Sequence, residues 1–220
     1  MKNSKKNGKK ESHVTKEKKR NLLAERNVKR ANRLSDPLSE LPDFKVYCKN
    51  ELNLELECKK VRDLDTGTVD GLFNLLKKNM EQLYRNCDWG WDDKKKLSQM
   101  TEPAAWYLIA RDEAKTPVAF SHFRFDMDYG VDVLYLYELQ LEESVRRKGL
   151  GKFMSETIEL IAFKNNMKKV VLTCFKHNPE AIEFYKSMNF KVDCTSPEDE
   201  ESFCYYILSK PNIHLETTGS

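Results

Sequence analysis

The run Arg146-Arg147-Lys148-Gly149-Leu150-Gly151 puts three cations and two glycines into six residues, after an alternating apolar stretch (Val131 to Leu141) and before a helical pattern (Phe153 to Phe163). A strand, a basic glycine turn and a helix N-terminus in that order can cradle a pyrophosphate. Glycine lets backbone approach a ligand closely, the first-turn amides point outward, and the helix dipole adds about half a positive charge. Two commoner phosphate loops are excluded by spacing, since one needs four residues between its glycines followed by Lys-Ser/Thr, and the other needs a third glycine. Just upstream, Glu138 interrupts the apolar and aromatic run Tyr135-Leu136-Tyr137-Glu138-Leu139-Gln140-Leu141. A carboxylate there is costly unless it is hydrogen-bonded or used, which makes Glu138 a candidate general base. Against that stands the plainer reading of a polar residue on the alternating face of a strand.

The elements that must position these residues follow from periodicity. Leu22 to Leu34 reads as an amphipathic helix stopped by Asp36-Pro37, and Leu52 to Val61 as a strand. A helix from about Thr68 to Tyr84 carries Leu72, Leu75, Leu76, Met80 and Leu83 on one face, and Trp89-Gly90-Trp91 breaks its pattern. After a short charged helix over Asp93 to Met100 come three strands, Ala105 to Arg111, Val118 to Asp126 and Val131 to Leu141, with links short enough for antiparallel hairpins. Lys169 to Phe175 is a buried strand, and Asn178-Pro179-Glu180 opens a second helix with a good N-cap, a proline at the first position and an acid for the dipole. That helix ends at Asn189; Phe190 to Val192 and Phe203 to Leu208 are the last strands. The order predicts a mixed α/β sheet with helices on both faces.

Composition bounds the rest. The 220 residues suffice for one domain and an extension. Residues 1–30 hold twelve Lys and Arg against three Glu, a charge of +9, so a chain of net +3 leaves −6 for the remaining 190 residues. The first 20 residues, nearly without apolar content, are expected to be disordered in isolation. They read either as a nuclear-targeting or nucleic-acid-contacting tail, at a nucleosome or ribosome, or as a solvating tail. No apolar run has the length of a signal peptide or membrane span, so the expectation is a soluble, intracellular protein without membrane contact, of cytoplasm and nucleus where the tail is a targeting segment; with no long heptad or apolar patch legible, a monomer is expected. Cys48, Cys58, Cys87, Cys174, Cys194 and Cys204 form no Cys-x-x-Cys pair, which predicts reduced and mostly buried thiols and no metal site. His122 and His177 read as core or loop histidines.

The combination of Arg146-x-x-Gly149-x-Gly151 after a strand with Asn178-x-x-Ala181-x-x-Phe184-Tyr185 and Asn189-Phe190 resembles the GNAT acetyltransferase superfamily. Further blocks resemble its histone-directed N-terminal acetyltransferases: Asn32-Arg33-Leu34-x-Asp36-Pro37-Leu38, Trp89-Gly90-Trp91, Ala105 to Ala110, Pro117 to Asp126 and Val145 to Phe153. The likeness covers roughly residues 30–210 and implies a single α/β GNAT domain (39–210) with a mixed, mostly antiparallel central sheet flanked by helices. A basic tail (1–20), a helix packing on the domain (21–38) and a C-terminal tail (211–220) complete the organisation. The implied reaction moves the acetyl group of acetyl-CoA to the α-amine of the type 4 and type 2A core histones, whose tails begin Ser-Gly-Arg-Gly. The resemblance places Tyr137, Leu139, Gln140, Leu141, Arg147, Lys148, Gly149, Leu150, Gly151, Lys152 and Asn178 at the cofactor, with Arg146 opening the same turn, and Glu138 at the reaction centre. Around the peptide it places Tyr84, Trp89, Asp126, Tyr135, Thr173 and Tyr205, and also Thr195, in a loop that departs from the family pattern.

Direct transfer needs a neutral amine, an oxyanion donor and a proton for the departing thiolate. An α-amine is about one-seventh neutral at pH 7, a lysine only about four times in ten thousand, so a modest base such as Glu138 suffices for the former. Tyr137 or Tyr185 can supply the proton or hold the sulfur, and a strand amide near Leu139 is the expected oxyanion donor. Asp126 is the expected contact for the cationic tail, with Tyr84 and Trp89 as walls; the alternative is a turn residue before Met127-Asp128. A lysine or polyamine acetyltransferase of the same fold, or a non-catalytic acyl-CoA-binding module, would carry the same glycine turn.

Overall fold

The computed structural model describes residues 4–198 and 202–213; residues 1–3, part of the loop after Asp193 and most of the expected C-terminal tail lie outside them. Helix α1 (Ser4–Ala31) leads into strands β1 (Val46–Lys49) and β2 (Leu52–Lys60), then helices α2 (Thr66–Arg85) and α3 (Asp93–Met100). The meander β3 (Trp106–Arg111), β4 (Pro117–Asp128) and β5 (Val131–Leu141) follows. Helix α4 (Leu150–Lys164), β6 (Lys169–Phe175), α5 (Pro179–Ser187), β7 (Lys191–Val192) and β8 (Tyr205–Pro211) complete the chain. One eight-stranded sheet runs in the order β1-β2-β3-β4-β5-β6-β8-β7, and every pair is antiparallel except β5 with β6. The expected single α/β domain with a mixed, mostly antiparallel sheet is therefore what the chain forms.

Helices cover both faces because the strands are apolar on both. In β3, Trp106, Leu108 and Ala110 point into a core shared with α1, α4 and α5, while Tyr107 and Ile109 point into one shared with α2 and α3. The helix α1 departs from expectation at both ends. It starts at Ser4, within the basic segment, rather than at Leu22, and stops at Ala31 rather than Leu34. Lys, Arg and Glu are good helix formers, which suits this basic segment to a helix. Its end is set by Asn32, whose side-chain amide donates to the Phe125 carbonyl. Asn27 donates to Asp132 at 2.8 Å, so polar pairs as well as Ala24 and Ala31 dock this helix on β4 and β5.

Two features of the sheet prepare a site. Opposite His122 and Phe123 of β4 stand Glu138 and Leu136 of β5, so Tyr137 is an extra residue, a bulge that turns the strand. The parallel ladder of β5 with β6 joins only Val133–Leu136 to Lys169–Leu172, yet the strands continue to Leu141 and Phe175. Past Leu136 the two strands part, and the sheet opens into a slot.

Candidate active site

The glycine turn closes one end of the slot. Gly149 caps α4 with φ +85°, a left-handed conformation in which glycine is unstrained, and the first intrahelical bond runs from the Phe153 N–H to the Gly149 carbonyl. The amides of residues 150–152 thus have no acceptor within the helix and are available to an anion. The turn is braced from β1, where the Tyr47 hydroxyl (2.5 Å) and the Asn50 side-chain amide (2.9 Å) both donate to the Lys148 carbonyl. Arg146, Arg147, Gly149, Gly151, Lys152 and Asn178 line a groove of about 490 Å³ with Leu139, Gln140 and Leu141. Leu150 is wholly buried and turns its side chain into the core, and Lys148 contributes its braced carbonyl to the shape of the turn. Of the cations, Arg146 is committed to the protein, donating to the Leu141 carbonyl and to Asn79, whereas Arg147 faces Glu180, both more than three-quarters exposed.

The open edge of β5 supplies the floor. The Glu142 N–H donates to the Val118 carbonyl of β4, so alternation turns the backbone groups of Leu141 and Leu139 toward the slot. The Leu139 amide, the expected oxyanion donor, thus faces the slot and not β4. Asn178 spends its Oδ1 on the cap of α5, accepting from the Ala181 N–H at 3.2 Å, and has its NH₂ group left to offer a ligand.

Beyond the turn lies a cavity of about 460 Å³ that brings together Tyr84, Trp89, Tyr135, Tyr137, Glu138, Thr173, Asn178 and Tyr185. Glu138 is buried; its Oε2 accepts from Gln140 at 3.0 Å and its Oε1 faces the Lys96 ammonium at 3.3 Å. A carboxylate has about four acceptor positions, so two contacts leave room for a substrate amine or a water. The chain of contacts is continuous: Arg146 donates to Asn79 (2.6 Å), Asn79 to Gln140 (3.0 Å), Gln140 to Glu138, and Lys96 joins Glu138 to the Tyr84 hydroxyl (2.5 Å). Lys96, Gln99 and Asn79 were not anticipated from the sequence. Lys96 sits in Asp93-Lys94-Lys95-Lys96, which reads as a solvated face; the available signal was its spacing of four from buried Met100.

Aromatic rings wall the outer side. Trp89 packs on Phe175 and Tyr205 with centroids at 5.3 and 5.0 Å, and Tyr84 meets Phe175 edge-on at 4.9 Å. The Tyr135 hydroxyl bonds Thr173 Oγ1 at 2.6 Å, so these two act as one unit. Burial pushes the phenols of Tyr84, Tyr185 and Tyr137 up, with nearby Glu138 adding to the rise for the first two and the Arg124 guanidinium opposing it at Tyr137. All three remain hydrogen-bond donors at neutral pH. A second groove, of about 720 Å³, continues outward past Lys96 and Trp91 between Asp88, Asp92 and Glu102.

Two expected site residues lie elsewhere. Asp126 is an exposed member of β4, not a turn residue: the reversal is made by Tyr129 and Gly130, both at positive φ, and Asp126 lines none of the three spaces described. Thr195 holds its hydroxyl on Asp193, which is itself paired with Lys169 at 2.6 Å, and lines none of the three spaces described. The cysteines also differ from expectation, because Cys48 and Cys194 are exposed while Cys58 and Cys174 are buried. Among the described residues no cluster of His, Cys, Asp and Glu could hold a metal ion, and no helix is long and apolar enough to cross a membrane.

His122 lies beneath the cavity, stacked between Tyr107 (5.1 Å) and Tyr137 (4.9 Å). Burial, then the Arg124 and Lys96 charges, push its imidazole down to about 3. The folded protein therefore keeps it neutral while the unfolded chain protonates it below about 6.5, so the stability tied to neutral His122 is present above that pH and lost as pH falls toward 3. His122→Phe, which keeps the stacked ring, should lose less thermal stability than the parent between about pH 7 and pH 4. Equal losses in paired melts would refute the assignment.

A slot with a basic glycine turn at one end suits a thioester on a flexible arm joined to a pyrophosphate, and the class of protein it defines is an acyl-CoA-dependent transferase. The chain belongs to the acetyltransferase (GNAT) family, whose sequence model matches residues 71–190, and it is an acetyl-CoA-dependent acetyltransferase. Similar solved structures include a GNAT-family acetyltransferase from Staphylococcus aureus, 12% identical with a TM-score of 0.54 over 71% of this chain and 99% of that one. The PaiA N-acetyltransferase of Thermoplasma acidophilum, solved with coenzyme A, is 15% identical with a TM-score of 0.51 over 71% and 99%. The ribosomal-protein-S18-alanine N-acetyltransferase of Escherichia coli is 18% identical with a TM-score of 0.50 over 71% and 93%. At these identities the likeness establishes the fold.

Proposed function

We propose that the protein is an N-terminal acetyltransferase of the D type, moving an acetyl group to the free α-amine of histone tails that begin Ser-Gly-Arg-Gly. The observation that carries this reading is the buried Glu138 carboxylate at the inner end of a channel walled by aromatic rings. Acetyl-CoA supplies the acetyl group as an activated thioester. The amides of residues 150–152 and the Asn178 NH₂ would hold it, and the Leu139 amide is available as a donor to an oxyanion. Glu138 takes the proton of the α-ammonium, and the Tyr185 or Tyr137 hydroxyl, each kept protonated by burial, returns one to the sulfur.

The acidic side chains set the substrate's charge. Asp88 and Asp92 line the outer groove beside Lys95 and Lys96, Glu102 there is paired with Arg124, and Asp126 and Asp128 add negative charge along β4, with Tyr205 and Trp89 at the rim. A tail rich in Arg and Lys is attracted there, and the −6 balance outside the basic segment favours the same partner. The +9 segment at the N-terminus suits contact with nucleosomal or ribosomal nucleic acid, in keeping with activity in cytoplasm and nucleus. The test is mass spectrometry of Ser-Gly-Arg-Gly-Lys-Gly incubated with protein and acetyl-CoA, beside the same peptide with a blocked N-terminus. One acetyl group on the free-amine peptide alone is expected. Acetylation of both would assign the activity to the lysine, and transfer to spermidine alone would assign it to a polyamine.

A further inference from the structure

The resting protein holds an amine of its own against the candidate base. Lys96 is the fourth residue of α3, and its side chain is 9% exposed. Its Nζ lies 3.3 Å from Glu138 Oε1, 2.5 Å from the Tyr84 hydroxyl and 3.0 Å from Gln99 Oε1, and it stands 4.2 Å above the centre of the Tyr84 ring. A carboxylate, a hydroxyl oxygen, an amide oxygen and an aromatic face are what an incoming α-ammonium would seek there. Lys96 also borders both the inner cavity and the outer groove, so it stands on the path between them. Its neighbours Lys94 and Lys95 are exposed.

We propose that Lys96 is a self-modification site, acetylated on Nζ within the same molecule when no peptide occupies the channel. This rests on the reading of Glu138 as the base. Glu138 takes a proton from the Lys96 ammonium; the freed nitrogen attacks the thioester carbonyl carbon, a C–N bond forms and the C–S bond breaks. The thiolate leaves and takes up the proton, so the products are an Nζ-acetyl-lysine, free coenzyme A and one proton released to solvent. No oxidant or further reactant is needed. An α-amine is a weaker base than a side-chain amine and gives up its proton more readily, so the reaction is slower than peptide transfer. Fixed placement offsets this, since well-oriented intramolecular groups reach effective concentrations of about 10⁵ M or more. The product is neutral, dissolves the ion pair with Glu138 and leaves an acetamide between Tyr84 and Glu138, in the channel a substrate's first residue must enter.

The experiment incubates the full chain with acetyl-CoA, digests it with a protease cutting at acidic residues and localises acetyl groups by fragment-ion mass spectrometry, with peptide turnover followed in parallel. Acetyl on Lys96 is expected, at a first-order rate independent of protein concentration, suppressed by excess Ser-Gly-Arg-Gly-Lys-Gly and lost in Glu138→Gln. Spontaneous acetylation would instead mark exposed Lys94 and Lys95 and spare Lys96; that pattern, or a rate rising with protein concentration, overturns the proposal. Peptide turnover with Lys96 unmodified overturns it while leaving the proposed function standing. Lys96 modified without peptide turnover supports it and removes the peptide assignment, and modification of neither overturns both.

Discussion

Glu138→Gln is expected to lower kcat by about 10² to 10⁴, the usual worth of a positioned general base, with little change in acetyl-CoA affinity. The second half follows from where the cofactor groups lie: the α4 amides, Leu139 and Asn178 are untouched, and Gln keeps an oxygen for Gln140 to donate to. A stability effect accompanies the kinetic one. Lys96 and Glu138 are 9% and 6% exposed, and removing one partner of a buried ion pair destabilises by about 3–5 kcal/mol because the other charge is stranded. Melting curves separate the two effects when Glu138→Gln is compared with the double variant that adds Lys96→Met. Removing both charges should restore most of the lost stability and none of the lost turnover. Recovery of activity in the double variant would make Glu138 a structural partner of Lys96, and unchanged kcat in the single variant would remove it from the mechanism.

What the sequence made legible was what is local. The run from β5 through α5 is written in period-two and period-3.6 patterns with strong caps, so the glycine turn, Glu138, Asn178 and Tyr185 were found and the structure gathers them. β1 was missed because its four residues carry little pattern and its turn is Asn50-Glu51, both at positive φ without a glycine to announce it. Lys96 was missed because charge in a run of charges looks like solvent exposure. The path Arg146-Asn79-Gln140-Glu138 joins α2, β5 and the turn across more than sixty positions of sequence, and nothing local encodes it. The parting of β5 from β6 was equally hidden, since a strand's composition does not say where its ladder ends. Asp126 was singled out for its charge alone; it shares the face of β4 that carries His122 and Arg124 but stands farther along the strand, beyond the residues that line the cavity.

That hidden strand β1 leads to the second large effect, on cofactor binding. Gly149→Ala should weaken acetyl-CoA binding about tenfold or more while leaving the fold intact. The left-handed φ of +85° is disfavoured for alanine by roughly 1–2 kcal/mol, and a β-carbon there would lie 2.7 Å from the Tyr47 hydroxyl. That hydroxyl must then leave the Lys148 carbonyl, forfeiting a hydrogen bond of about 1 kcal/mol and one of the two braces that fix the turn. Combined, about 2–3 kcal/mol falls on the segment that presents the α4 amides, and each 1.4 kcal/mol expressed in binding is tenfold in Kd. Tyr47→Phe alone loses the brace without the backbone strain and should weaken binding less. Adding Tyr47→Phe to Gly149→Ala relieves the contact and leaves the strain, so the double variant should bind better than Gly149→Ala and worse than the parent. Titration of the four proteins with coenzyme A by calorimetry checks the order. Equal affinity in Gly149→Ala and the parent would mean that the turn does not hold the pyrophosphate, since no other part of the slot is altered by that substitution.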